Sequence, residues 1–319
     1  MKIAQTRKLH AAGILPKPAS TNNIEALRER LDALRLTFSA EGLDDLLNQS
    51  VKENWNATSF LDAMLRLELE RQEERRVAQA IRISHLPTGP TISNFNFAFQ
   101  PSVSRSQIQT LSTCQWIRDG QGLLLQGPPG VGKTHLAVAL GMRGIEAGFS
   151  VSFCRLDELM HQLKRDAELS PAKLKHRKYM AVNLVIIDEF GYQPLTREES
   201  NLFFRVVNYR YAKGSSTAIT TNKGIASWPS VLADDEVLAG AILDRLLHSA
   251  TVLNIQGRSY RLKELDAQLA QRPAEQTSEV SGPEVLRTRG VKVSPLGKTG
   301  CLEQPKACWI SKRPARGPF

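Results

Sequence analysis

The segment that constrains this chain most is a short run: Gly127, Pro128, Pro129, Gly130, Val131, Gly132, Lys133 and Thr134. It follows the apolar stretch Gly122 to Gln126, which reads as a strand, and leads through His135 into a helical stretch ending near Ala147. A turn of the form G-x-x-x-x-G-K-[ST] between a strand and a helix lets backbone amides wrap around phosphate groups at the positive helix N-terminus. The motif works only where a strand delivers the turn and a helix receives it, so it commits the chain to an α/β sheet. Gly127 through His135 are the expected nucleotide-binding positions, with ATP and Mg²⁺ as ligands. Lys133 supplies charge to the β- and γ-phosphates, and the Thr134 hydroxyl ligates Mg²⁺. The competing reading, a chance glycine-rich turn, leaves the flanking strand and helix unexplained.

Asn183 to Ile187 is a second apolar run of strand length, and it ends in Asp188 and Glu189. Ligands of open α/β sheets bind outside the carboxyl ends of the strands. Asp188 is therefore expected to hold Mg²⁺ through water, and Glu189 to polarise the water that attacks the γ-phosphate. Two acids ending a strand are otherwise an ordinary loop start. The strand candidate Thr217 to Thr221 runs into Asn222, which is either a polar sensor between γ-phosphate and water or a turn former. Arg245, beside Asp244 on the otherwise apolar helix Ala241 to Leu247, is either a functional guanidinium or half of a surface pair. Val151 to Cys154 reads as a strand, with Asp157 as the cap of the next helix. Thr196 and Glu199 form a capping box for a helix ending near Gly214, Ala239 to His248 is helical, and Thr251 to Ile255 is a last strand. Strands alternating with helices imply a parallel sheet covered on both faces.

Upstream, residues 22 to 84 read as helical. Ile24, Leu27, Leu31 and Leu34 share one face, Leu43, Leu46 and Leu47 mark a second helix, and a third opens at Thr58 or Ser59 with Ser59 and Asp62 as its capping pattern. The breaker cluster Leu86-Pro87-Thr88-Gly89-Pro90 ends this pattern. The expected division is a small all-helical N-terminal domain, 1–86, an ATPase domain, 87–271, and a disordered basic tail, 272–319, in which apolar periodicity is lost. No run of about 18 apolar residues occurs, which excludes a membrane-spanning helix. The apolar run Ala11 to Leu15 is too short for a signal-peptide core, so a cytoplasmic protein is expected. The cysteines Cys114, Cys154, Cys301 and Cys308 lack metal-ligand spacing and read as free thiols. The net charge of +10 favours a polyanionic partner such as nucleic acid, with simple solubility as the alternative. Lys173, Lys175, Arg177 and Lys178 are candidate phosphate contacts, or else a solvated charge run.

From about Ser93 to Arg261 the chain closely resembles the IstB-type transposition helper ATPases of bacterial insertion sequences, relatives of the DnaC-type helicase loaders. The resemblance rests on Asn94 to Phe97, Gly127 to Ala137, Val185 to Gly191, Thr220 to Asn222, Ile242 to His248 and Gly257 to Arg261. It implies an AAA+ core that assembles as a homo-oligomer on duplex DNA in its ATP state and delivers that DNA to a partner transposase. It also implies that Arg245 acts as an arginine finger on a neighbouring subunit's ATP. Phe190 departs from the family, which often has a smaller aliphatic residue there, and the tail after about residue 271 extends past the usual end. A loader of a replicative helicase would share every one of these motifs. A small-molecule P-loop kinase would leave the basic charge and the helical segment unused, and a DNA-binding protein with a dead nucleotide site conflicts with the intact set Lys133, Thr134, Asp188 and Glu189.

Overall fold

The computed structural model describes residues 24–263; the expected tail 272–319, with Cys301 and Cys308, and the first 23 residues lie outside the described residues. Four helices come first: α1 (Ile24–Ala33), α2 (Thr37–Glu41), α3 (Leu43–Lys52) and the long α4 (Ala57–Ser84). The last of these opens earlier than Thr58 or Ser59. Asn56 is its N-cap, and the Asn56 side chain accepts the Ser59 N–H at 2.8 Å. A short polar side chain in extended backbone satisfies an orphan amide of the first turn, which leaves Ser59 inside the helix as the recipient of the cap. On α4 the buried Glu68 carboxylate accepts the Ser39 N–H of α2 at 2.7 Å and the Gln72 side-chain amide at 2.8 Å. Burial opposes the charge, but the hydrogen bonds from Ser39 and Gln72 outweigh it and hold the Glu68 carboxyl below its ordinary range.

The C-terminal half of α4 lies against the sheet region: Val77, Ala80 and Ile81 pack on a core that includes Leu86, and Arg76 donates to the Ile145 carbonyl at 3.0 Å. The chain then runs through α5 (Arg105–Ser112), α6 (Gln115–Arg118), β1 (Leu123–Gln126), α7 (Lys133–Glu146), β2 (Val151–Arg155) and α8 (Leu156–Asp166). It continues through α9 (Pro171–Leu174), α10 (Lys178–Ala181), β3 (Leu184–Phe190), α11 (Arg197–Lys213), β4 (Ser216–Thr221), α12 (Trp228–Val231), α13 (Glu236–Leu247) and β5 (Thr251–Asn254). Every strand pair is parallel, and the order is β2-β3-β4-β1-β5.

Strand side chains alternate between two apolar layers, so both faces are buried and the strands read as continuous apolar runs. Leu123, Leu125, Leu184, Ile186 and Ala218 join Leu136 and Leu140 of α7 on one face. Leu124, Val185, Ile187 and Ile219 join Leu159 of α8, Phe203 of α11 and Ile242 of α13 on the other. This is the parallel sheet with helices on both faces expected from the sequence. Among the described residues no helix is long and apolar enough to cross a membrane, and Cys114 and Cys154 are free and buried.

Helix α11 opens on the expected reciprocal pair of Thr196 and Glu199 and closes at Gly214. The expected cap Asp157 is instead the second residue of α8. Arg155 precedes the helix, and the Asp157 carboxylate accepts from the Arg155 guanidinium and the Glu158 N–H. Strand β2 runs to Arg155, one residue further than its apolar pattern, because Arg155 still pairs with Asp188 in the ladder. Phe190 is fully buried, stacked 4.1 Å from Trp228 and 5.3 Å from Phe203 between ring centroids, so the larger residue fills an aromatic core beneath the end of β3. Arg210 is also buried. Its guanidinium donates to the carbonyls of Tyr179, Val182, Asn183 and Ser216 and to the Thr217 hydroxyl, joining α10, the link that leads into β3, and β4. Burial pulls its pKa down to about 10, so it stays charged at neutral pH.

Candidate functional site

The ends of three neighbouring strands build the site. Strand β4 lies between β1, which delivers the glycine-rich turn, and β3, which delivers the two acids. The turn is pinned by backbone: the Gly127 N–H donates to the Thr221 carbonyl at 3.1 Å and the Tyr260 N–H donates to the Gly130 carbonyl at 2.9 Å. Its glycines are required by space. A Cβ on Gly127 would sit 2.1 Å from the Ile255 carbonyl oxygen, and one on Gly130, whose φ is +79°, 2.0 Å from the Ser259 hydroxyl. Val131 is buried beneath the turn while Pro128 and Pro129 are exposed on it. Gly132, in left-handed backbone, starts α7.

Lys133 folds back on its own turn, donating to the carbonyls of Gly127 and Pro128, each at 2.8 Å. Burial holds its ammonium below the usual lysine range; Asp188 opposes that shift and Arg261 adds to it. Thr134 donates its hydroxyl to Asp188 Oδ1 at 2.9 Å, and Thr220 donates to the same oxygen. The Thr220 hydroxyl also accepts the Glu189 N–H at 3.1 Å. One threonine on β4 thus fixes both acids. His135 lines the cleft above the turn with its Nε2 2.8 Å from the Thr91 carbonyl and its ring edge-on to Phe95.

Asp188 and Glu189 are neighbours with opposite surroundings. Asp188 is buried, whereas Glu189 is exposed and sits at φ +60° where the β3–β4 register shifts between Ile187 and Phe190. A non-glycine residue in left-handed backbone costs on the order of 1–3 kcal/mol, and a bulge at a strand end re-aims a side chain. The cleft beside Lys133, about 390 Å³, is bordered by Phe95, Gly130, Thr134, His135, Tyr260 and Arg261. Glu189 lines a second cleft of about 400 Å³ with Arg155, Asp157, His161 and Tyr192. The Thr134, Asp188 and Thr220 chain connects the two.

Asn222 is exposed one residue beyond the level at which Gln126, Thr221 and Phe190 pair across β1, β4 and β3, beside the start of the glycine-rich turn. Arg245 is not brought to Lys133. Its guanidinium donates to Asn208 of α11 at 2.8 Å and to the Ala241 carbonyl at 2.7 Å, and lies 5.0 Å over the Phe204 ring. Sequence reasoning gave no role to Thr220, Phe95, Tyr260 or Arg261, although Asn94 to Phe97 and Gly257 to Arg261 stood out as motifs. The Tyr260 hydroxyl donates to the Asn96 carbonyl at 2.8 Å, so these two segments, far apart in sequence, meet over the turn.

The donor set suits Mg²⁺ held together with phosphate. Thr134 Oγ1 and Asp188 Oδ1 are two hard oxygens side by side, and no group of three or more His, Cys, Asp or Glu among the described residues could hold a metal without further ligands. Mg²⁺ takes one or two carboxylates and completes its octahedron with phosphate oxygens and water.

The family model for IstB-like ATP binding proteins matches residues 29–267. The chain is 40% identical over 243 residues to a protein of insertion sequence IS21 from Pseudomonas aeruginosa that is named for ATP binding, covering 76% of this chain and 90% of that one. A similarly named protein of insertion sequence IS5376 from Geobacillus stearothermophilus is 35% identical over 240 residues, covering 75% and 95%. Among solved structures, the crystal structure of the DnaC helicase loader superposes with a TM-score of 0.41 at 25% identity, covering 52% of this chain and 96% of that one.

Proposed function

We propose a role as an ATP-dependent helper of transposition for this chain, which belongs to the IstB-like ATP-binding protein family. It is an ATPase. The observation that carries the chemistry is the hydrogen-bond chain from Thr134 through Asp188 and Thr220 to the Glu189 backbone. Lys133 exchanges the Gly127 and Pro128 carbonyls for the β- and γ-phosphates of ATP, while the amides from Gly127 to His135 cradle them. Thr134 and Asp188 would hold Mg²⁺, which would supply neutralisation of phosphate charge. Glu189 polarises the attacking water, and Asn222, at the end of β4, contacts the γ-phosphate side of that water.

In this reading Arg245, which rests on α11 in its own subunit, completes the ATP site of a neighbouring copy, and the working form is a homo-oligomer. Two features support a DNA partner: the net charge of +10 and relatives that are proteins of insertion sequences. In this reading the ATP-bound oligomer holds duplex DNA and presents it to a transposase. The test is duplex titration of the Glu189→Gln protein with ATP and with ADP across salt concentrations. Tight, sequence-tolerant, steeply salt-dependent binding with ATP is expected; no duplex affinity with ATP contradicts the DNA role.

A further inference from the structure

Strand β2 is an edge of the sheet, and a groove of about 520 Å³ runs along it, away from the nucleotide cleft. Its walls include Ser152 of β2, Gln162 and Arg165 of α8, Arg177, Lys178, and His85 at the end of α4. Strands β3 and β4 separate β2 from β1, a spacing of roughly 14 Å at the normal interstrand distance, so these cations do not serve the phosphates held at the turn. Two of them are fixed in place. Arg177 pairs with Asp166 at 2.7 Å, and Lys178 donates to the Ile83 carbonyl at 3.1 Å.

The groove's one carboxylate, Asp166, is already taken by Arg177 and by the Tyr179 hydroxyl at 2.9 Å. Beyond the fixed pair, Arg165 on the wall and Lys173 and Lys175, on the α9 segment that leads into Arg177, are exposed, and among the described residues none of the three side chains has an ion pair or hydrogen bond. Of the two acids between positions 166 and 178, Asp166 is paired and Glu168, exposed between α8 and α9, has no such partner. The groove therefore carries more cations than acids: Arg165, Arg177 and Lys178 against Asp166 on its walls, with Lys173 and Lys175 against Glu168 in the adjoining segment.

We infer that this groove is the surface that grips the phosphate backbone of duplex DNA, with Arg165, Lys173 and Lys175 as the contacting cations and Arg177 and Lys178 as a rigid rim. The inference rests on the proposed DNA role and assigns it a place. A duplex, rather than a single strand, follows from what the groove lacks. Single-strand binders stack bases on exposed aromatic rings, whereas the groove's two rings are Phe153, half-buried with its ring packed on the core, and Tyr179, buried with its hydroxyl engaged. What is left is charge and polar side chains, which grip backbone without reading bases.

The test uses the full chain with ATP and a fixed duplex. Arg165→Ala, Lys173→Ala and Lys175→Ala are combined, and affinity is measured across salt concentrations for wild type and variant. Losing three phosphate contacts lowers the slope of log affinity against log salt by roughly 2 to 3 and weakens binding at about 0.1 M salt on the order of a hundredfold. ATP hydrolysis without DNA stays at the wild-type rate. If the triple variant folds poorly, Lys173→Gln with Lys175→Gln, confined to the surface, should lower the slope by about 2. Wild-type slope and affinity in a folded variant overturn the groove while leaving the DNA role intact. A wild-type protein with no duplex affinity removes both. A loss confined to single-stranded DNA, or to an acidic protein, in place of duplex also overturns the assignment.

Discussion

The nucleotide end of the sheet and the helical stretch 24–84 are organised on opposite terms. At the ends of β1, β3 and β4 the Asp188 carboxylate is held by two threonines and the Lys133 ammonium by two carbonyls. The strained backbone at Glu189 persists because the Thr220 hydroxyl fixes its amide. Along α4, by contrast, Leu61, Leu65 and Leu69 remain 50%, 48% and 66% exposed, and the polar ties to α2 both run through Ser39, to the buried Glu68 carboxylate and to the Met64 carbonyl. Catalytic geometry demands an over-determined backbone, whereas helix packing tolerates a surplus of apolar surface and few polar anchors. Substitutions in the first region should therefore remove chemistry while the fold survives, and substitutions in the second should loosen structure while the nucleotide site survives.

The sharpest way to break that division is Arg245, which touches α11 and yet is assigned to chemistry. Arg245→Ala should leave ATP affinity near normal and lower hydrolysis by about 10³ to 10⁵, the range for a missing arginine finger. Mixing it with Lys133→Ala protein should restore part of the activity, since one variant keeps the turn and the other keeps the guanidinium. Wild-type turnover by Arg245→Ala in the presence of DNA would return Arg245 to a packing role.

Arg210 is the converse case, a charged residue assigned wholly to structure. Arg210→Met strands the carbonyls of Tyr179, Val182, Asn183 and Ser216 and should destabilise the protein by roughly 3 kcal/mol or more. ATP affinity of the folded fraction should not change. Chemical denaturation monitored alongside nucleotide binding checks both, and lost affinity at full stability would contradict the assignment.

The smallest effect is expected at Glu68. Glu68→Gln should cost about 1–2 kcal/mol. The Glu68 pKa is lowered from 4.5 in the folded protein, so the stabilisation from its charge is fully present above that value and is lost as pH falls through the lower folded value. The stability gap between wild type and Glu68→Gln should therefore be constant near neutral pH and narrow below about pH 4.5. A gap that widens on acidification would refute the charged anchor.

Much of the sheet region was legible because its signals are local. The glycine-rich turn, the apolar run ending in Asp188 and Glu189, and the pair Thr196 and Glu199 each declare themselves within a few residues. Thr220 did not, because its role depends on β4 lying between β1 and β3, a pairing set by tertiary structure. The left-handed Glu189 was hidden for the same reason: nothing local distinguishes it from a regular strand residue. In the helical stretch the pattern gave the helices but not their packing. Ile24 and Leu27 lie on α1 as expected and are still exposed, Leu34 falls in the turn just past its end, and Asn56 displaced Ser59 as the cap because several polar residues competed for one amide position.

The central claim is that one set of side chains binds the nucleotide and another cleaves it. Measuring ATP affinity and single-turnover hydrolysis for Lys133→Ala and Glu189→Gln tests it directly. The account predicts that Lys133→Ala loses nucleotide binding, while Glu189→Gln binds ATP as wild type does and hydrolyses it about 10² to 10⁴ times more slowly, the usual contribution of a general base. Hydrolysis by Glu189→Gln at the wild-type rate would contradict it.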